Sequence, residues 1–503
     1  MKKLINWLTW LDNNLLKILI TLFIFVIPLY PKLPLKLIEY TYIAVRLDDI
    51  YVGFVVAVFF IQLLRGKVKI DRYFLILFIA FWAAVFASFA VGYFLQHTLR
   101  QQLFQIGLLH SGRRVQYMIF FFIGFTTVKK KEDLLFYVRL IFVVLLLVTL
   151  YGIGQKFLGW PAIQTMNPAF ARGALLYLTP EARISSTFGG HYDLAAYLVL
   201  LIPFVVAMYF YSKNIFYYVV AFLSIFALTL TASRISFIAY IGSMGAFLLY
   251  TRKFKHLIII GLITIGLTFV STNLTSRFFQ TFQIKQVFVN EKTGQTVLPQ
   301  LISSKELPAG GAYIPIQNDV QPTVNPATAK LLKEELLDQV QKDATKSGRV
   351  LTASEAAQIV ATMSADLRPV NTISADISNA TRLQVEWPRA INALKRNPLF
   401  GTGPASITES TDNDYLRWLG EFGLIGTSIF LFIIFNISVR VFNAGRKKDK
   451  TAILYTGFLF GTLGLLLNAS YIDVFEASKV AYYFWLLSGI IIATLALHKS
   501  NTA

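Results

Sequence analysis

A succession of apolar runs constrains this 503-residue chain more than any other feature. Crossing about 30 Å of hydrocarbon takes roughly 20 apolar residues as a helix. About twelve such runs occur, near 15–30, 43–64, 73–91, 115–128, 134–154, 193–211, 215–231, 234–251, 256–272, 414–438, 451–468 and 479–497. Lipid offers no partner to a bare backbone, so segments of this kind must close their hydrogen bonds as helices. The expected fold class is an all-α integral membrane protein with about twelve transmembrane helices. Residues 215–250 are interrupted only by "TASR". One helix there would exceed roughly 50 Å at about 1.5 Å per residue, so the split falls at Ser233.

A 55% hydrophobic composition and a mean hydropathy of +0.58 agree with a polytopic membrane protein. The net charge of +20 would suggest nucleic acid in a soluble chain. Here the basic residues flank apolar runs, where they set topology, and a nucleic-acid role is excluded. The chain has no cysteine, so disulfides and thiolate metal sites are ruled out. Lys2 and Lys3 precede the first span without a small-residue cleavage site, which reads as an uncleaved anchor.

Loop charge orients the spans. "RGKVKIDR" (65–72), "KKKED" (129–133), "TRKFKH" (251–256) and "GRKKDK" (445–450) alternate with lysine-poor loops. Placing these four in the cytoplasm puts both termini inside and turns loops 93–114, 155–192 and 273–413 outward. Three regions follow: a membrane part at 1–272, an extracytoplasmic subdomain at 273–413, and a second membrane part at 414–503. The outward side favours arginine, among it Arg46, Arg100, Arg113, Arg114, Arg172, Arg183 and Arg277. Arginine's fork grips phosphate in pairs of bonds, which lysine cannot do.

Within 273–413 the first part is broken by proline and glycine and reads as loop with a short hairpin. "ATAKLLKEELLDQVQKDATKSG" then reads as an amphipathic helix. Thr352 and Glu355 form a capping box for the next helix, and a third covers about 379–396, which Pro388 should kink or end in part. The expectation is a small helical cap.

Four outward stretches carry chemistry-capable side chains. In "RISSTFGGHYDLAAYLVLLIP" (183–203), Arg183, Gly189, Gly190, His191 and Asp193 gather at the entrance of the sixth span. Glycine permits close backbone approach to a ligand. Asp193 reads either as a helix cap or as a ligand contact. In "LTLTASRISFIAY" (228–240), Arg234 occupies a tight junction between two spans. It reads as an anion contact, with snorkelling to headgroups as the bland alternative. In "RLQVEWPRAINALKRNPLFGTG" (382–403), Arg382, Glu386 and Arg389 share a helix face, and "NPLFGTG" is a turn. In "TDNDYLRWLGEFGLIG" (411–426), an unbroken helix would align Asp412, Leu416, Leu419 and Gly423. Asp414, Arg417 and Glu421 would share another face, where Arg417 serves both acids. Asp412 is then the acid without a local partner.

These stretches, with "RLDDIYVG" (46–53), "LHSGRRVQYMIFF" (109–121) and "LNASYIDVFEASKVAYYFWLLSGI" (467–490), resemble the bacterial O-antigen ligases and O-antigen polymerases. The resemblance covers nearly the whole chain outside about 280–375. It implies a GT-C-like membrane glycosyltransferase, working on the outer face of the bacterial cytoplasmic membrane. The donor it implies is an undecaprenyl-diphosphate-linked oligosaccharide, and the acceptor is a glycan hydroxyl.

By the same resemblance Arg234 is the arginine of the "SR" motif, and Arg382 is the loop arginine that precedes a tryptophan, here Trp387. Ligases usually carry a histidine followed by asparagine and tyrosine-leucine. This sequence has Asp412, Asn413, Tyr415 and Leu416, with Gly423 beyond. The missing histidine favours a polymerase over a ligase acting on a lipid or protein acceptor. A lipid-glycan flippase is a weaker reading, because only Arg139 lies inside a span.

The implied mechanism has Arg183, Arg234 and Arg382 hold the diphosphate and stabilise the leaving group. Asp412 deprotonates the acceptor hydroxyl, which attacks the anomeric carbon with inversion. Asn413, Tyr415, His191 and Asp193 are the further substrate contacts. Neither metal nor cofactor is expected, because arginines supply the positive charge.

Overall fold

The computed structural model describes residues 2–37, 44–99, 104–165, 173–179, 182–271, 274–275, 282–290, 296–297, 313–315, 326–346, 351–365, 367–375, 381–407 and 411–500. The chain divides into two units, Met1–Thr275 with Arg389–Ala503, and Ser276–Pro388.

In the first unit each apolar run is helical. In chain order these are α1 (Lys2–Leu29), α2 (Leu47–Leu64), α3 (Arg72–Ala90), α4 (Phe104–Thr127), α5 (Glu132–Phe157), α6 (His191–Ser212), α7 (Ile215–Leu230), α8 (Arg234–Tyr250) and α9 (Phe254–Val270). The inserted unit has its own helices, α10 (Pro326–Lys346) and α11 (Ala353–Ala365). After it come α12 (Trp387–Arg396), α13 (Asp414–Gly445), α14 (Ala452–Ala469) and α15 (Ser478–Ser500). Among the described residues eight helices are long and apolar enough to cross a membrane. Helices α7, α8 and α9 are apolar but have only 16 or 17 residues. α4 opens with the polar turns that carry His110, Arg113 and Arg114.

Local chemistry sets the boundaries. Asp71 and Asn214 cap α3 and α7 by accepting from Phe74 N at 3.1 Å and Phe216 N at 2.9 Å. Between α7 and α8 the chain reverses through Ala232 at φ 49°, and Ser233 is the N-cap of α8. The split expected there is where the structure turns.

At the centre lie α6 and α15, with 89% and 83% of their apolar stretches buried. Their neighbours approach backbone to backbone. A Cβ on Gly489 of α15 would lie 1.9 Å from the Phe121 carbonyl oxygen of α4. A Cβ on Gly461 of α14 would lie 2.1 Å from that of Leu200 in α6. Lipid gives helices no hydrophobic drive to associate, so such close van der Waals contact through small residues holds them together.

One helix departs from expectation. α13 is not continuous: Gly423, at φ 64° and ψ −166°, breaks it between a short N-terminal segment and a longer apolar one.

A short ribbon of β1 (Pro34–Leu37) and β2 (Ala44–Arg46) completes the first unit. The second unit is a mixed module rather than a purely helical one. Strands β3 (Phe282–Asn290), β4 (Thr296–Val297), β5 (Tyr313–Pro315) and β6 (Leu367–Ala375) form an antiparallel sheet in the order β4-β3-β6-β5. β3 and β6 pair from Phe282↔Ala375 to Asn290↔Leu367. α10 and α11 share a small core with the sheet, built from Phe288, Leu332, Leu336, Val340, Ala356 and Val360. The helical cap expected from sequence missed this sheet, because its two long strands are each other's remote partners.

The capping box of α11 is present, with Thr352 N donating to Glu355 Oε2 at 2.9 Å and Glu355 N to Thr352 Oγ1 at 3.3 Å. The helix expected over 379–396 begins instead with a π turn, Arg382–Glu386, before α12. That wider turn disrupts the spacing on which a shared face for Arg382, Glu386 and Arg389 depended. Pro388 is the second residue of α12, directly after that π turn. Most of the proline- and glycine-rich stretch lies outside the described residues.

Candidate functional site

α13 begins at Asp414. Asn413 caps it, with Oδ1 accepting from Leu416 N at 3.0 Å and its amide donating to the Ser470 carbonyl at 2.8 Å. Asp412 precedes the cap in the left-handed region, at φ 50°. Aspartate tolerates that region better than most residues. The helical face expected to join Asp412 to Leu416, Leu419 and Gly423 therefore does not exist. Asp412 lies before the helix and Gly423 interrupts it.

What holds this loop is Asp473, in the short link between α14 and α15. Its carboxylate accepts three successive backbone N–H groups, from Thr411 at 3.0 Å, Asp412 at 3.2 Å and Asn413 at 3.0 Å. The guanidinium of Arg417 reaches the same carboxylate at 2.7 Å. Bonds to an ionised acceptor are the strong ones, so the loop is tightly seated.

From there a chain of paired charges runs inward. Arg417 pairs with Glu421 at 3.3 Å, the i,i+4 pair expected from sequence. Glu421 pairs with Arg114 of α4 at 3.2 Å, and Arg114 also binds Glu476. Asp414 takes a different partner, accepting from Phe475 N at 3.0 Å. Arg417 and Glu421 are 1% and 0% exposed. Charges so deep persist only when each is compensated.

The break at Gly423 is covered by residues 397–403. Leu424 N donates to the Pro398 carbonyl at 2.7 Å and Ile425 N to that of Leu399 at 3.2 Å. In return Thr402 N and Gly403 N donate to the carbonyls of Gly420 and Glu421 at 2.9 and 3.0 Å. "NPLFGTG" is thus the strap that satisfies the backbone groups freed by the broken helix. Irregular backbone at membrane depth is tolerated only when protein satisfies it in this way. A Cβ at Gly423 would lie 2.4 Å from the Leu399 carbonyl.

The entrance of α6 forms a second polar patch. Arg183 and His191 meet at 2.6 Å, Nη1 to Nε2. Gly190 holds the N-cap position. Asp193 is therefore not the cap, and its carboxylate stands 3.8 Å from Lys32 Nζ. Burial pushes the Lys32 ammonium below the usual lysine range, and the Asp193 charge opposes that shift. Lys479 of α15 donates to the carbonyls of Pro28, Tyr30 and Thr187 at 3.0, 2.7 and 2.8 Å, binding the C-terminal end of α1 to this patch.

Two further arginines anticipated from sequence are at the starts of their elements. Arg234 is half-buried at the first position of α8, and Arg382 is buried at the start of the π turn in the second unit. The hydroxyl of Tyr415 donates to the Leu466 carbonyl at 2.9 Å, tying α13 to α14. Arg100, Arg172 and Arg277 lie outside the described residues. Sequence reasoning placed Arg114 only among the outward arginines, and it passed over Asp473, Glu476, Lys32 and Lys479. Their signal was two acids in a short link between apolar helices and adjacent arginines opening another.

Residues 219–431 match the family model Wzy_C, described as O-Antigen ligase. Over that segment the chain is similar to the O-antigen ligases. The match takes in Arg234, Arg382, the Asp412 loop, Arg417, Glu421 and Gly423, and it ends inside α13. That similarity supports a glycan-transferring membrane enzyme of the O-antigen ligase and polymerase superfamily. No curated protein matches the chain significantly.

Proposed function

We propose that this protein moves a glycan from an undecaprenyl-diphosphate carrier to an acceptor sugar hydroxyl, on the outward ends of about twelve spans. Asp412 is the general base, and Arg183, Arg234 and Arg382 bind the diphosphate. The observation that carries the reading is the way Asp412 is held. A half-buried acid in a left-handed backbone is anchored by its own N–H to Asp473, at the start of a broken helix and inside the matched segment. Strained, over-determined backbone of this kind clusters at sites where a side chain must be aimed. His191 joined to Arg183 and Asp193 beside Lys32 provide further polar contacts for phosphate and sugar.

The step is a single inverting displacement. Asp412 takes the acceptor proton as the new glycosidic bond forms and the bond to the carrier diphosphate breaks. Arginines stabilise the charge that grows on that diphosphate, so the reaction needs no metal. An ordinary aspartate is a weaker base than histidine. Asp412 in the place of a ligase histidine favours a polymerase that extends carrier-linked glycan. Transfer to a separate lipid or protein is the second reading.

The test is transfer in reconstituted vesicles holding a lipid-linked repeat unit. Asp412→Asn should bind donor normally and lose transfer by about 10²-fold or more, as general-base removal requires. Near-normal transfer would refute the role of Asp412. Longer carrier-linked glycan from donor alone identifies a polymerase, and dependence on an added acceptor identifies a ligase.

A further inference from the structure

A cavity apart from the Asp412 loop lies where α1, α2 and α4 meet at their lysine-rich ends. It encloses about 290 Å³ and is lined by Asp12, Asn13, Lys17, Gln62, Lys67 and Lys129, among others. Asp12 accepts from both Arg65 guanidinium nitrogens, at 2.6 and 2.8 Å, from Gln62 at 2.9 Å, and from Lys67. Asp133 pairs with Lys17 at 2.5 Å and accepts from the backbone N–H groups of Lys129 and Lys130 at 2.8 and 2.9 Å. The Lys129 ammonium donates to the Asn13 carbonyl at 2.7 Å.

The charges around this cavity do not balance. Lys17, Arg65, Lys67 and Lys129 are four cations facing two carboxylates, Asp12 and Asp133, which leaves a surplus of two. One polar atom is also unsatisfied: Gln62 Oε1 is buried without a hydrogen-bond partner among the described residues. A cluster whose only task was to tie helix ends together would require neither the surplus nor the open acceptor. Trp7 and Trp10, 55% and 57% exposed on the first turns of α1, mark this end of the bundle as headgroup depth.

We propose that this pocket binds the headgroup of an anionic, hydroxyl-bearing phospholipid. The phosphate neutralises the surplus on Lys67 and Lys129, and a headgroup hydroxyl donates to Gln62 Oε1. Basic pockets between spanning helices on the lysine-rich side favour such lipids, each cation adding attraction to the anionic surface. The site is independent of the glycan-transfer reading and is tested without any transfer assay.

The full chain is reconstituted in vesicles of phosphatidylcholine containing phosphatidylglycerol, extracted in mild detergent, and its retained phospholipid counted by native mass spectrometry. Phosphatidylglycerol should remain bound in preference to phosphatidylcholine, and inorganic phosphate should not displace it. Lys67→Gln with Lys129→Gln should reduce that retention roughly tenfold or more, while Lys67→Arg with Lys129→Arg should keep it. Lys447→Gln with Lys448→Gln, in another lysine-rich loop, should leave it unchanged. Equal loss from both glutamine pairs would reduce the effect to general surface charge and overturn the site. Displacement by inorganic phosphate would overturn the lipid and leave a free-phosphate site. Unchanged retention in the Lys67 and Lys129 pair would remove the site altogether.

Discussion

The Asp473 carboxylate accepts the backbone N–H of Asp412 at 3.2 Å, across a separation of 61 residues. The link between α14 and α15 thereby holds the conformation of the loop that opens α13. Three N–H groups and a guanidinium converge on that one side chain. Asp473→Asn keeps the shape and one acceptor but loses the charge, and should cost about 2 kcal/mol of stability. Transfer should fall at least tenfold with donor affinity retained, and Asp473→Glu should recover part of it. Full transfer in the asparagine variant would separate this anchor from the chemistry.

Gly423 offers a test of the broken helix. Its positive φ opposes any side chain, and so does the Leu399 carbonyl, which would stand 2.4 Å from an added Cβ. Gly423→Ala should lower the thermal unfolding temperature in detergent, at a cost of about 1–3 kcal/mol. Gly245, in the body of α8 with nothing within 4 Å, is the control. Gly245→Ala should be neutral or stabilising by up to about 1 kcal/mol. Equal effects at the two positions would contradict the break.

The Arg417–Glu421 pair is fully buried and shares its partners with Asp473 and Arg114. Removing one partner strands charge in a dry interior, so Arg417→Gln should destabilise by about 3–5 kcal/mol. Adding Glu421→Gln should cost less than the sum of the single changes, with a coupling of about 1 kcal/mol or more. Thermal unfolding of the four proteins in the cycle measures this directly, and simple additivity would count against the network.

Arg234, at the first position of α8, is expected to hold carrier diphosphate. Arg234→Ala should weaken binding of an undecaprenyl-diphosphate donor about tenfold or more, with insertion and folding unchanged. Arg234→Lys should restore charge but not the paired geometry, and so recover only part of the affinity. Arg382→Ala should act in the same direction. Unchanged donor affinity in both alanine variants would move the diphosphate elsewhere.

Much of this architecture could be read from the sequence because it depends on neighbours. Each helix closes its own i to i+4 hydrogen bonds, so an apolar run of sufficient length declares itself without knowledge of the rest. The Thr352–Glu355 box, the Ser233 junction and the Arg417–Glu421 pair likewise involve residues within four positions of one another. Other features depend on partners far along the chain and leave no local period. β3 needs β6, Gly423 needs the strap at 397–403, and Asp412 needs Asp473. Sequence spacing assigned Asp412 to a helical face because a helix was the only local structure available to it. Only the folded chain, by presenting a carboxylate to three consecutive N–H groups, made it a left-handed residue ahead of the cap. The sequence by itself determined which segments are helices. Tertiary structure decided where one of them breaks and how Asp412 is held before it, because a buried charge or freed peptide group must find its partner wherever the fold supplies one.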